Sequence, residues 1–61
     1  MKKEITITLD ENKAWDFAQF LKRITWDGVR ECAVDKEETE TMIAIIENAR
    51  EQMAKQGISP R

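Results

Sequence analysis

The chain has 61 residues, ten of them Lys or Arg and twelve Asp or Glu, which gives a net charge of −2. This balance removes the generic electrostatic attraction to nucleic acids and anionic membranes. Histidine is absent and Cys32 is the single cysteine, so the chain lacks the ligands of a zinc site and cannot form an intrachain disulfide. We expect no metal and no cofactor.

A chain of this length forms a single domain, residues 1–61, and buries only about 60% of the surface that its unfolded form exposes. Small natural domains compensate for a thin core with disulfides, a metal or a second copy. With the first two excluded, we expect a homodimer. Met1 to Glu4 lead into only a few alternating residues, which favours a cytoplasmic protein without signal peptide or membrane span.

Strict alternation over residues 3–9 predicts one half-buried strand. Its apolar side consists of Ile5, Ile7 and Leu9. Nothing later in the chain matches this pattern. Because an isolated strand leaves its backbone hydrogen-bonding groups unpaired, we expect the same strand of a second chain to pair with it.

The next segment predicts a first helix over 11–25, with Asp10 as its N-cap. Its apolar stripe consists of Ala14, Phe17, Leu21 and Ile24, with Phe20 beside it. Trp15 lies off this stripe with Gln19, Lys22 and, if the helix continued, Trp26. Trp15 is equally consistent with a core role and with partner contact, whereas Trp26 is expected in the core.

A short connecting helix is predicted over 27–33, capped by either Thr25 or Asp27. Cys32 lies at apolar spacing from Val29 within it. Such a cysteine is more often a small buried hydrophobe than a reactive thiol, and we expect that of Cys32.

The longest predicted helix covers 36–56. Asp35 is its N-cap and Glu38 completes a capping box, while Gly57 ends it and begins a tail over 57–61. One stripe along it consists of Thr39, Met42, Ile46, Ala49, Met53 and Gln56, and the opposite side carries Glu37, Glu40, Glu47 and Glu51. The predicted fold class is therefore α+β: a single N-terminal strand, a helix, a short connecting helix and a long C-terminal helix, completed by dimerisation through the strand. The predicted dimer interface consists of Ile5, Ile7, Leu9, Met42, Ile46, Ala49 and Met53.

The composition offers little for catalysis. With no His, no Tyr and one Cys, the usual nucleophile and base pairs are missing. A chain this short also has little room for a desolvated cleft in which a carboxylate could act. We expect neither an enzyme nor a small-molecule substrate.

Partner contact is the better-supported role. Trp combined with Lys or Arg is typical of binding hot spots, which makes Trp15, Gln19, Lys22 and Arg23 candidate contact residues. The acidic residues Glu40, Glu47 and Glu51 are consistent with two roles, solvation of the last helix or contact with a basic partner surface.

A rival hypothesis is a dimeric DNA-binding regulator of the ribbon-helix-helix type, in which paired strands enter the major groove. The DNA-facing residues would then be Lys2, Thr6 and Thr8. Against it, Glu4 on the same side would face phosphates unfavourably, and the connection between the two main helices is long for that fold.

Three blocks carry a resemblance that runs from Trp15 to the C-terminus. They are Ala-Gln-Phe-Leu-Lys-Arg over residues 18–23, the step Ala33-Val34-Asp35 and the end Gly57-Ile58-Ser59-Pro60-Arg61. Together they resemble a family of very short uncharacterised proteins of bacteria, their plasmids and phages. The resemblance implies no catalytic residues, and it implies an accessory role linked to mobile elements. We therefore expect a non-enzymatic accessory or inhibitory protein that binds a host protein or a protein–nucleic-acid complex.

Overall fold

A computed structural model describes residues 1–60 and contains three α-helices in that range. They are α1, Glu11–Arg23; α2, Trp26–Cys32; and α3, Lys36–Lys55. All three helices predicted from the sequence are present. Arg61, the last residue of the predicted tail, lies outside the described residues.

The predicted strand over residues 3–9 is wrong. Residues 1–10 form neither helix nor strand, so the described part of the chain is all-α rather than α+β. Ile5 and Ile7 are exposed, and only Leu9 is partly covered. The physical reason is the absence of a pairing edge: alternation favours a strand only where a neighbouring strand can accept its hydrogen bonds, and residues 10–60 offer none.

Side-chain caps determine where each helix begins. The Lys13 amide donates to Asp10 Oδ1 at 2.9 Å, the Gly28 amide to Thr25 Oγ1 at 3.0 Å, and the Glu38 amide to Asp35 Oδ1 at 2.8 Å. Thr25, rather than the alternative Asp27, is therefore the cap of α2. An N-cap needs an extended backbone, which Thr25 has, and this is why α1 ends at Arg23 instead of continuing to residue 25.

The N-terminus of α3 differs in one detail from a regular capping box. Asp35 caps as predicted, but the Glu38 side chain reaches one residue further back and accepts from the Val34 amide at 3.3 Å. Two donors at the helix start are still satisfied reciprocally by these two carboxylates.

The C-terminus of α3 closes in a Schellman motif around Gly57. The Ile58 amide donates to the Met53 carbonyl at 3.0 Å, and the Gly57 amide donates to the Ala54 carbonyl at 2.9 Å. Gly57 has a φ of 81°, in the left-handed region that favours glycine. The helix stop predicted at this residue is confirmed.

Both shorter helices pack against α3, which forms the centre of the fold. α1 runs antiparallel to α3: Ala14 near its start lines a cleft with Met53, and Phe20 near its end lines a groove with Met42. Within residues 1–60 the buried apolar side chains are Ala14, Ala18, Leu21 and Val29. Thr39 is 0% exposed, and its hydroxyl donates to the Asp35 carbonyl at 2.9 Å.

Two residues expected in the core are on the surface. Trp26 is 49% exposed because it occupies the first position of α2, and Cys32 at the other end of α2 is exposed as well. A helix of seven residues has room for only about two turns, so a single central residue, Val29, faces α3 and is buried.

The three helices form a flat molecule, which we call the layer. The chain measures 34 × 30 × 15 Å, so it is about half as thick as it is wide. Its radius of gyration is 12.5 Å, against about 10.5 Å expected for a compact domain of this length. Few side chains are therefore deeply buried.

Candidate protein-binding surfaces

An apolar groove of about 240 Å³ opens at the surface of the chain. It lies where all three helices meet, and every residue that lines it is apolar: Phe20, Ile24, Val29, Cys32, Met42, Ile45 and Ile46. Phe20 and Ile45 stand at its edges, 56% and 62% exposed. Large apolar side chains that surround an open groove mark a surface suited to contact with another protein.

The sequence predicts this groove only in part. Met42 and Ile46, two members of the predicted dimer interface, both line it and are half-buried. Ile45 lies beside the narrow stripe and is absent from that prediction, although the apolar residues between Met42 and Ile46 show that the apolar face of α3 is wider than a single stripe. Phe20 is predicted only as a flanking residue of α1.

Two other predicted interface residues belong to the packing within the chain or lie near it. Met53 lines one small cleft with Ala18 and Pro60, and a second with Leu9 and Ile58. Ala49 is half-buried. The clefts around Met53 bring both ends of the chain against the C-terminal half of α3.

The candidate contact residues on α1 form a continuous band, which we call the α1 band. Trp15, Gln19, Lys22 and Arg23 span about 100° around the helix at 100° per residue. Trp15 is 36% exposed, and Lys22 and Arg23 are exposed. Gln19 is half-buried, and its Oε1 atom has no hydrogen-bond partner among the described residues.

The α1 band borders two different parts of the surface. On one side, Lys22 lines a narrow cleft with Arg50 and Ser59, so two cations approach the C-terminal tail there. On the other side, Gln19 and Arg23 line a shallow depression with Phe20, which also belongs to the apolar groove. Trp15 and Phe20 lie about 140° apart around α1, and they therefore project from nearly opposite sides of that helix.

The three candidate acidic residues of α3 are solvent-exposed, as both of their proposed roles require. Glu40 forms an exposed salt bridge with Lys36 at 4.0 Å, and Glu51 forms one with Lys55 at 3.7 Å. Glu47 is exposed between them. Such exposed pairs add little stability, but they offset part of the charge available to a basic partner.

Lys2, Thr6 and Thr8 are exposed in the irregular N-terminal segment. In the single chain they are not held in the fixed alternating register that a DNA-reading ribbon needs.

Within residues 1–60, no three His, Cys, Asp or Glu side chains come together as metal ligands. The same range contains no helix with the length and hydropathy of a membrane span.

Comparison with curated proteins and with solved structures finds no match. A family model does match, and it covers residues 1–61, including the N-terminal segment that lies outside the three recognised blocks. The chain therefore belongs to the family described as a family of unknown function, DUF7706.

Proposed function

We propose that this protein is a non-enzymatic accessory or inhibitory protein of a phage or plasmid, which binds a host protein or a protein–nucleic-acid complex. The observation that carries the proposal is the α1 band, where Trp15 is exposed beside Lys22 and Arg23. Tryptophan and arginine are among the residue types that contribute most to protein interfaces when a partner covers them.

The placement of these side chains favours binding over chemistry. They project from the surface of a helix, and the depression that Gln19 and Arg23 line is shallow and open. A cation on an exposed helix recognises an acidic or polar group by hydrogen bonding and charge, and an indole adds a large, rigid contact area. The partner surface should therefore combine acidic groups with a pocket for an aromatic ring.

The acidic side of α3 supplies a second, weaker contact for a partner with a basic region. It lies on the side of α3 opposite the residues that line the groove. Phosphate groups of a protein–nucleic-acid complex would be repelled by Glu47 and attracted by Arg23, which orients such a complex toward α1.

The experiment is an affinity pull-down from host lysate with the tagged full-length chain, carried out with and without nuclease. Trp15→Ala and Arg23→Glu should each abolish capture of the partner. Arg30→Glu is the matched control, because Arg30 is also an exposed arginine but lies on α2 outside the band. Capture that survives nuclease identifies a protein partner, and capture lost with nuclease identifies a complex that depends on nucleic acid.

Two results would reject the proposal: no specific partner, or a partner retained equally by wild type, Trp15→Ala and Arg23→Glu. The DNA-binding alternative predicts instead that the purified chain binds duplex DNA with a steep salt dependence. That binding should be lost with Lys2→Glu or Thr6→Ala and should not respond to Trp15→Ala.

A further inference from the structure

We propose that the apolar groove is the homodimer interface of this protein, covered by the same groove of a second copy. The inference does not rest on host binding, since it concerns the purified chain alone. It replaces the N-terminal strand as the element that joins two copies.

The exposed area of the single chain is the first argument. Its accessible surface is 5463 Å². A compact monomer of 7.1 kDa exposes about 4,100 Å², so this chain exposes roughly 1,400 Å² more than its mass predicts. Part of the excess belongs to residues 1–8, which are exposed throughout. A standard protein interface would cover about 800 Å² of each copy.

The flat shape of the chain is the second argument. The chain is 15 Å across its smallest dimension, and its apolar groove is open at the surface. A second copy placed over the groove adds a further packed layer and converts both grooves into one core.

The small core of the single chain identifies the occupant of the groove. The chain buries only four apolar side chains in residues 1–60, and two of these are alanines. A fold with so small a core gains stability from a covering layer as soon as it is folded, before any other partner is met. A second copy is the one partner always present where the chain is made, and closed two-fold dimers bring identical patches together.

The charges are compatible with such a pairing. Glu40, Glu47 and Glu51 project from the side of α3 opposite its apolar stripe, so facing grooves do not bring these carboxylates together. At the edge of the groove, Asp16 and Arg23 line the adjoining depression with Phe20 and Ile24. One acid and one base at this edge leave it balanced, without a net charge that would repel the second copy.

The test measures the mass of the full-length chain in solution by sedimentation at micromolar concentration. Wild type should sediment at twice the chain mass of 7.1 kDa. Ile45→Glu should sediment as a single chain with its helical circular dichroism retained, since Ile45 is 62% exposed in the single chain. Ala44→Glu is the matched control: it adds the same charge to the exposed neighbouring position, about 100° around α3, and should remain dimeric.

Cys32 provides a second measurement that needs no substitution in the groove. Its thiol is exposed in the single chain and lines the groove. Alkylation of wild-type Cys32 should therefore slow as the protein concentration rises and the dimer forms. This readout remains decisive even if Ile45→Glu unfolds.

Each of three results would overturn the inference: a folded wild-type monomer at micromolar concentration, a dimer unaffected by Ile45→Glu, or Cys32 alkylated at one rate at all concentrations. A dimer that tolerates Ile45→Glu but is lost on removal of residues 2–9 would also overturn it, by moving the contact to the N-terminal segment. If the protein is a dimer but captures no host partner in the pull-down, the proposed function alone is rejected. If it is a monomer and still captures a host partner, only this interface is rejected.

Discussion

Leu21→Ala should leave the protein largely unfolded at 25 °C. Leu21 is 4% exposed, and with Val29 it is one of only two buried apolar side chains larger than alanine in the described residues. Its truncation weakens the packing of α1. The expected effect is therefore large relative to the size of the core.

The magnitude follows from the burial. Truncating a buried leucine to alanine costs about 2–5 kcal/mol, which combines lost transfer free energy with the cavity that remains. A domain of this size has a free energy of unfolding of roughly 3–5 kcal/mol from its core. The substitution thus removes most or all of the free energy of unfolding, whereas a protein with a larger core would remain folded.

The assay is urea denaturation followed by far-ultraviolet circular dichroism, at one protein concentration because association raises apparent stability. Val34→Ala is the control: Val34 is 81% exposed, and its loss should change the free energy of unfolding by no more than about 0.5 kcal/mol. A Leu21→Ala variant with the wild-type denaturation midpoint would refute the assignment of Leu21 to the core.

Five further substitutions test the helix ends and the buried threonine by the same assay. Gly57→Ala should lower the free energy of unfolding by about 1 kcal/mol through backbone conformation alone, since φ is 81° and an added Cβ meets no atom within 4 Å. An unchanged denaturation midpoint would contradict the left-handed conformation of Gly57 at the end of α3. Asp35→Ala should lower the free energy of unfolding by about 1 kcal/mol, because Asp35 caps α3. Asp27→Ala is its control: it removes no cap and should lower the same free energy by less than half as much. Thr39→Val should lower the free energy of unfolding by under about 1 kcal/mol, because the Asp35 carbonyl keeps its hydrogen bond from the Thr39 amide. Thr39→Asp should unfold the chain, because it buries a charge. Equal stability of the valine and aspartate variants would show that Thr39 is not buried.

Local signals were enough to predict the helices. Asp10 and Asp35 cap as their residue type and position predict, and Gly57 ends α3 through hydrogen bonds between residues three and five apart. These interactions depend only on nearby residues, so the sequence contains all that is needed to infer them. The α1 band could be predicted for the same reason, because helical spacing alone places Trp15, Lys22 and Arg23 beside one another.

Signals that depend on distant partners were misleading. Residues 3–9 alternate as a strand does, but a strand exists only with a second strand to pair, and the described chain has none. Trp26 and Cys32 have core-like residue types and spacing, yet α2 is too short to bury more than its central residue against α3.

The positions of the helices could thus be inferred from the residues alone, since caps, periodicity and the glycine stop act over a few residues. Which apolar side chains remain uncovered depends on the packing of the whole chain. The contacts of α1 and α2 with α3 use one part of its wide apolar face and leave Ile45 at the edge of an open groove. That outcome requires the directions and lengths of all three helices together, which residue spacing within any one helix does not specify.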